Sequence, residues 1–332
     1  MQLSRRFLLL ELTAAGIIPN ALAAAPSGLP QAREIPAHPL PVPDTVSDAL
    51  KPVVGAPLPA HWNLVPDSAQ AWRARAAASG IDAGAILGQL QQRLGLTVRA
   101  ATLGGVPVFV STPNTIPAAN RDRLLLHLHG GGYVLFPGEV GAGEGMMMAG
   151  YGRFRVISVD YRMAPDFPFP AAIEDAIAVW RELLSRNDPR KMAIFGTSAG
   201  GGLTLATLLR ARAEGLPFPA AIAPGSPWAD LTVRGDSLFA NAFVDNVLVS
   251  MDGWVGAAAR LYAGGHDPRD PLISPLYGDF TGFPPAILTS GTRDLLLSDT
   301  VRTRGAAGIR GTESRTVPHP VRTGVATTPR TG

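Results

Sequence analysis

The stretch Gly196-Thr197-Ser198-Ala199-Gly200 places a serine among small neighbours, directly after the apolar run 192–195 and ahead of a helical pattern at 203–215. Where a strand hands over to a helix, this spacing permits a sharp turn that lifts a serine Oγ clear of the backbone. The helix N-terminus beneath it favours negative charge developing nearby. The same residues also read as a glycine-rich turn with a solvated serine. A second stretch argues against that. His129-Gly130-Gly131-Gly132 follows the run 124–128, and successive glycines let backbone N–H groups approach a substrate oxygen closely. N–H groups of this glycine run would pair with the N–H of Ala199 to receive an oxyanion. That set of parts suits attack by a serine on a carbonyl carbon.

Such attack needs an acid and a base. Asp294 closes the apolar run 286–289 after a short turn, at a strand C-terminus, where open α/β sheets place functional groups. Asp299 and Asp230 are rivals, and a helix N-cap is the plain role for any of the three. His127 and His129 share one strand face, as zinc ligands can, but no third ligand accompanies them and no metal is expected. The segment 196–202 lacks the Lys-Ser/Thr of a phosphate loop, and no G-x-G-x-x-G follows a strand. Met146, Met147 and Met148 read as core rather than ligand. Trp228 reads equally as core or as a wall of an acyl pocket.

These residues need elements to carry them. The segments 97–103 and 106–112 read as a hairpin turning at Gly104-Gly105. Short apolar runs within 123–132, 154–162, 191–201, 219–228 and 284–294 suit strands of a parallel sheet buried on both faces. Helical patterns at 171–186 and 203–215 lie between them, and residues 69–94 suggest two short helices interrupted near Gly80. Strands alternating with helices argue for an open sheet covered on both sides.

A chain of 332 residues, 46% hydrophobic, can bury a large core. It has no cysteine, which excludes disulfides, thiolate zinc sites and a cysteine nucleophile. The net charge of +3 is uneven: residues 302–332 hold six Arg against one Glu, so the rest of the chain is slightly negative and no nucleic-acid partner is expected. The N-terminus reads as an address. Arg5-Arg6, an apolar stretch over 7–18 and Ala21-Leu22-Ala23 predict a twin-arginine export signal over 1–23, hence an exported, periplasmic or secreted protein without stable membrane insertion.

With "HGGGYVL", "VDYRMAPDFPFPAAIEDA" (159–176), "GTSAGGGL", "SPWADLT" (226–232) and "GTRDLLLSD" (291–299), the chain resembles the hormone-sensitive-lipase-like branch of the α/β-hydrolases, bacterial carboxylesterases with an HGGG motif. The resemblance runs from about Val106 to Arg302. It implies an α/β-hydrolase fold, a mostly parallel central sheet with helices on both faces and a partial helical cap built from about 44–94 and 243–265. It implies a serine carboxylesterase acting without cofactor on short acyl esters or lactones, with Ser198 as nucleophile, Asp294 as acid, and Gly130, Gly131 and Ala199 as oxyanion donors. Tyr133 and Trp228 are the candidate substrate contacts. The expected division is a signal over 1–23, an arm with cap helices over 24–94, a hydrolase domain over 95–302 with a cap insertion at about 235–265, and an atypical tail over 303–332.

Hydrolases of this fold run in the order Ser, Asp, His, and His319 is the sole histidine after Asp294. Pro318 and Pro320 flank it, and residues 302–332 contain no Leu, Phe, Trp, Tyr or Met. That abrupt change suggests a frameshifted C-terminus from about Thr303. The tail is expected to be disordered after about Arg302, with His319 beyond hydrogen-bond reach of Ser198 Oγ. The alternative function is therefore a catalytically impaired hydrolase lacking its triad histidine.

Overall fold

Four consecutive parallel strands and one antiparallel hairpin build the sheet that carries the site. The structure, a computed structural model, describes residues 35–306 except Asp82. The expected signal, the tail beyond Ala306 and His319 lie outside the described residues. Residues 35–40 form a separate unit with no regular element; the remaining described residues belong to a second unit that begins at Pro41.

The hairpin pairs β1 (Leu96–Leu103) with β2 (Val106–Pro113), Leu103 standing opposite Val106. Gly104 and Gly105 turn it with φ of +57° and +82°. A Cβ on Gly104 would also stand 2.5 Å from the Ala178 carbonyl, so glycine serves both the turn and the close approach of a helix. Beyond the hairpin come β3 (Leu124–Leu128), β4 (Arg155–Val159), β5 (Met192–Thr197) and β6 (Ala221–Gly225). The spatial order is β1-β2-β4-β3-β5-β6, antiparallel at β1-β2 and β2-β4 and parallel elsewhere.

Side-chain alternation explains why both faces are covered. Leu124, Leu126 and Leu128 point into the main core with Ile194 and Ile222, against α5 (Ala171–Leu184) and α6 (Ala199–Ala213). Leu125, Val156 and Phe195 point the other way and meet Ala149 of α4 (Gly143–Gly152). Met146 is fully buried on α4, whereas Met148 is exposed, so one of the three methionines is core in full.

The expected strand within 284–294 is reduced to two parallel bridges, Ile222 with Ala286 and Gly225 with Thr289. Pro284 and Pro285 open that segment and supply no N–H to a ladder. Two helices occupy the expected 69–94 region, α2 (Ala69–Ile81) and α3 (Ala83–Leu94). The last helix, α9 (Leu297–Ala306), continues past Arg302 with Thr303 buried, because Arg302 and Asp299 are both tied to the loop after β6.

The cap joins distant parts of the chain. Asn246 donates to the carbonyls of Val53, in α1 (Lys51–Val54), and of Ala56. The Trp62 carbonyl accepts from Trp254 at the start of α8 (Trp254–Ala263), and the Trp62 ring meets Phe243 edge-on at 5.4 Å. A short helix, α7 (Ser237–Ala240), precedes this segment. Among the described residues, no helix is long and apolar enough to cross a membrane.

Candidate active site

Ser198 sits between β5 and α6 with φ 62° and ψ −122°, a conformation that L-residues rarely adopt. Its surroundings over-determine that strain. The Ser198 N–H donates to the Gly225 carbonyl at 2.9 Å, while its own carbonyl accepts from Trp228 at 2.9 Å and from Gly202 at 3.0 Å. The flanking glycines are a steric requirement, since a Cβ on Gly196 would stand 2.1 Å, and one on Gly200 1.9 Å, from the Leu128 carbonyl oxygen. Ala199 opens α6, so its N–H is one of the first-turn donors that have no acceptor within the helix.

The loop after β3 lies against this turn. A Cβ placed on Gly130 would come within 2.8 Å of the Thr197 carbonyl and 3.5 Å of the Ser198 Cβ. Gly131 and Gly132 have φ of +107° and +64°. Three carbonyls of the loop are held from behind. The Tyr161 hydroxyl donates to His129 O at 2.7 Å, His129 Nδ1 lies 2.7 Å from Gly130 O, and Gly131 O accepts from Val134 and Leu135. His129 stacks on Tyr161 with ring centroids 4.1 Å apart. Burial lowers its pKa to about 4, against a smaller opposing effect of the Gly130 carbonyl. The ring is thus neutral at pH 7. Because a carbonyl can only accept, Nδ1 carries the hydrogen and Nε2, buried and without a hydrogen-bond partner among the described residues, does not.

Asp294 lies in the turn after the 286–289 bridge and is buried. Its Oδ1 accepts from the Leu296 N–H at 2.7 Å; among the described residues Oδ2 has only the long 3.3 Å contact with Ser290 Oγ. Its carbonyl accepts from Asn241 of the cap, and Asp245 accepts from the next residue, Leu295. The two rival carboxylates serve other ends. Asp299 accepts from the amides of Ala229 and Asp230, and Asp230 binds Thr232 and Arg302. Asp294 thus keeps one oxygen weakly engaged, and Asp299 Oδ1 is buried without a hydrogen-bond partner among the described residues.

The candidate substrate contacts lie in the core. Tyr133 and Trp228 are each 1% exposed, and Tyr133 stacks at 3.7 Å on Tyr262 and at 6.5 Å on Trp228. Tyr161, which holds the His129 carbonyl of the glycine loop, and Glu144, which reaches Thr197, escape sequence reasoning. Tyr161 carries a signal in the "VDYR" run, but Glu144 carries none. Among the described residues, no group of three His, Cys, Asp or Glu is placed to hold a metal; His127 and His129 each have partners of other kinds.

A family model described as alpha/beta hydrolase fold matches residues 125–320. The chain is similar to an acetyl-hydrolase of Streptomyces hygroscopicus, 38% identical over 59% of this chain and 65% of that protein. It is also 33% identical to an esterase of Acinetobacter venetianus, over 57% of this chain and 62% of that one. The matches therefore span less than two thirds of either relative. The crystal structure of an esterase superposes with a TM-score of 0.79 at 39% identity, covering 84% of this chain and 87% of the other. A second, of an esterase from the bacterial hormone-sensitive lipase family, gives 0.63 at 33% identity over 79% and 84%.

Proposed function

Because this chain belongs to the alpha/beta hydrolase fold family, in its bacterial hormone-sensitive-lipase-like branch, we propose that it is a serine carboxylesterase for short acyl esters, lactones included. The observation that carries this reading is the strained Ser198 turn with the Gly130 loop packed against it. Ser198 Oγ attacks the ester carbonyl, the N–H groups of Gly130, Gly131 and Ala199 receive the oxyanion, and the alcohol leaves to give an acyl-enzyme. Water then attacks that acyl group and frees Ser198. An imidazole held by Asp294 Oδ2 takes the serine proton and passes it to the leaving alcohol. The acetyl-hydrolase and esterase relatives support the substrate class. The expected export signal is part of this proposal and places the enzyme outside the cytoplasm.

His319 is the base in this reading, and the family match, which runs through residue 320, supports it. A second reading, an impaired hydrolase, is favoured by the composition of 302–332, poor in the large apolar residues that would fix a histidine in place. Turnover of p-nitrophenyl acetate, phosphonate labelling of Ser198, and the His319→Ala variant decide between them. Labelling and turnover that vanish in Ser198→Ala, with His319→Ala lower by a factor on the order of 10⁴ or more, support the triad. Folded protein that neither turns over nor labels supports the impaired product. Turnover untouched in His319→Ala removes His319 as the base.

A further inference from the structure

A buried polar chain runs under the nucleophile and is not used by the chemistry above. Strand register sets Ser158, His127 and Phe195 abreast on the sheet face that α4 covers. Ser158 Oγ lies 3.0 Å from His127 Nδ1, and His127 Nε2 lies 3.2 Å from Glu144 Oε2. The other oxygen, Glu144 Oε1, accepts from Thr197 Oγ at 2.5 Å. Ser158 and His127 are buried, whereas the Glu144 side chain is 26% exposed. Two glycines make room for this chain. A Cβ on Gly145 would stand 2.2 Å from Ser158 Oγ, and one on Gly225 2.9 Å from Thr197 Oγ.

The order serine–histidine–carboxylate invites a catalytic reading, but Ser158 is 2% exposed and packed under α4, out of reach of any substrate. The function of the chain lies at its other end. Thr197 is the last residue of β5 and the one before Ser198. We propose that Glu144 is a positioning residue for the nucleophile: anchored on His127, it holds the Thr197 hydroxyl and so fixes the residue from which the strained Ser198 turn departs. This inference rests on Ser198 being the nucleophile. A carboxylate only accepts, so Thr197 Oγ–H and His127 Nε2–H both point at Glu144. Its two oxygens therefore tie β5 to β3 through one side chain of α4, at the level of the turn.

Glutamine keeps this arrangement. Its amide oxygen accepts from Thr197, and its NH₂ donates to His127 Nε2 once the ring changes tautomer and Nδ1–H turns to Ser158. Alanine does not. The test uses the full chain with Glu144→Ala, Glu144→Gln, Thr197→Val and Thr197→Ser. It reads kcat and KM on p-nitrophenyl acetate, together with amide hydrogen exchange of a peptide spanning 196–202. The expected result is a loss of kcat of about 10- to 100-fold for E144A and T197V, with KM nearly unchanged. E144Q and T197S should stay within about threefold of the parent. Exchange over 196–202 should quicken in E144A and T197V and not in α5.

Loss in E144Q as large as in E144A overturns the proposal, since charge and not anchoring would then matter. A raised KM at constant kcat overturns it as well, because Glu144 would then be a substrate contact. If the parent protein neither turns over nor labels, the nucleophile reading fails by itself. The exchange comparison still decides whether Glu144 anchors the turn.

Discussion

A single methyl group has opposite meanings at two glycines of this chain, and Ser198 explains why. Replacing a helical glycine by alanine ordinarily stabilises by about 0.5–1 kcal/mol. At Gly88 in α3 a Cβ meets nothing within 4 Å, so Gly88→Ala is expected to raise Tm. At Gly200 the Cβ would stand 1.9 Å from the Leu128 carbonyl and 2.7 Å from that of His129, both backbone atoms that cannot step aside. Overpacking of that kind costs roughly 1–3 kcal/mol and outweighs the helix gain. Gly200→Ala should therefore lower Tm and, by shifting Ser198 against the Gly130 loop, lower esterase turnover more than tenfold, on the order of what an ångström of misplacement does. Thermal unfolding and p-nitrophenyl acetate assays of the two variants check this. His129 gives a pH signature. Its pKa falls from 6.5 unfolded to about 4 folded, so the neutral ring contributes stability at pH 7 that is lost as pH falls through that window. His129→Asn keeps a donor for the Gly130 carbonyl and does not titrate. The Tm advantage of the parent over this variant should narrow from pH 7 to pH 4; an advantage independent of pH contradicts the assignment.

The last helix shows what composition does not display. The abrupt change in residue types near Arg302 falls inside α9, which runs to Ala306 over a buried cluster. Asp299 gives one oxygen to the Ala229 and Asp230 amides, and Arg302 reaches Asp230 at 2.6 Å but Asp299 only at 3.9 Å. Burial would raise Asp230, but Thr232 and Arg302 together hold it below the usual carboxylate range. Asp299 is left poorly compensated, and burial raises it from 3.8 to about 7. The folded protein thus holds a proton there that the unfolded chain releases. The contribution is full below about 3.8 and is lost as pH rises through about 7. Asp299→Asn, neutral at every pH, should gain Tm relative to the parent between pH 5 and pH 8, and a flat difference would count against the raised pKa. Other elements were legible because their signals are local. The runs at β3 and β5 are mostly apolar, the Gly104-Gly105 turn needs positive φ, and the Ser198 turn carries its glycines within five residues. Glu144, Thr197 and Ser158 were not legible, since only the lateral register of β3, β4 and β5 brings them together. Tyr133, a candidate substrate contact, has a positive φ of 63° and a ring stacked on Tyr262.

Across the whole molecule, the cap is fastened by contacts between chain segments far apart in sequence. Trp62→Ala removes the edge-on contact with Phe243 and the bulk beside Gly253 without touching Ser198 or Asp294. The expected outcome is a several-fold rise in KM for p-nitrophenyl esters with kcat less affected, since a loosened cap weakens binding in ground and transition states alike. A fall in kcat alone would assign Trp62 to the chemistry instead. The same fastening bears on how the protein is made. Asn246 grips Val53 and Ala56 across 193 and 190 residues, and Arg293 reaches the Pro41 carbonyl across 252. The arm leaves the ribosome well before Asn246, Trp254 and Arg293, so the contacts these residues make with it are absent while it waits. Nascent chains stalled before residue 243 should therefore expose the segment 41–66 to protease, whereas chains released past residue 306 should shield it. During translation, the arm is a guest whose seat arrives later.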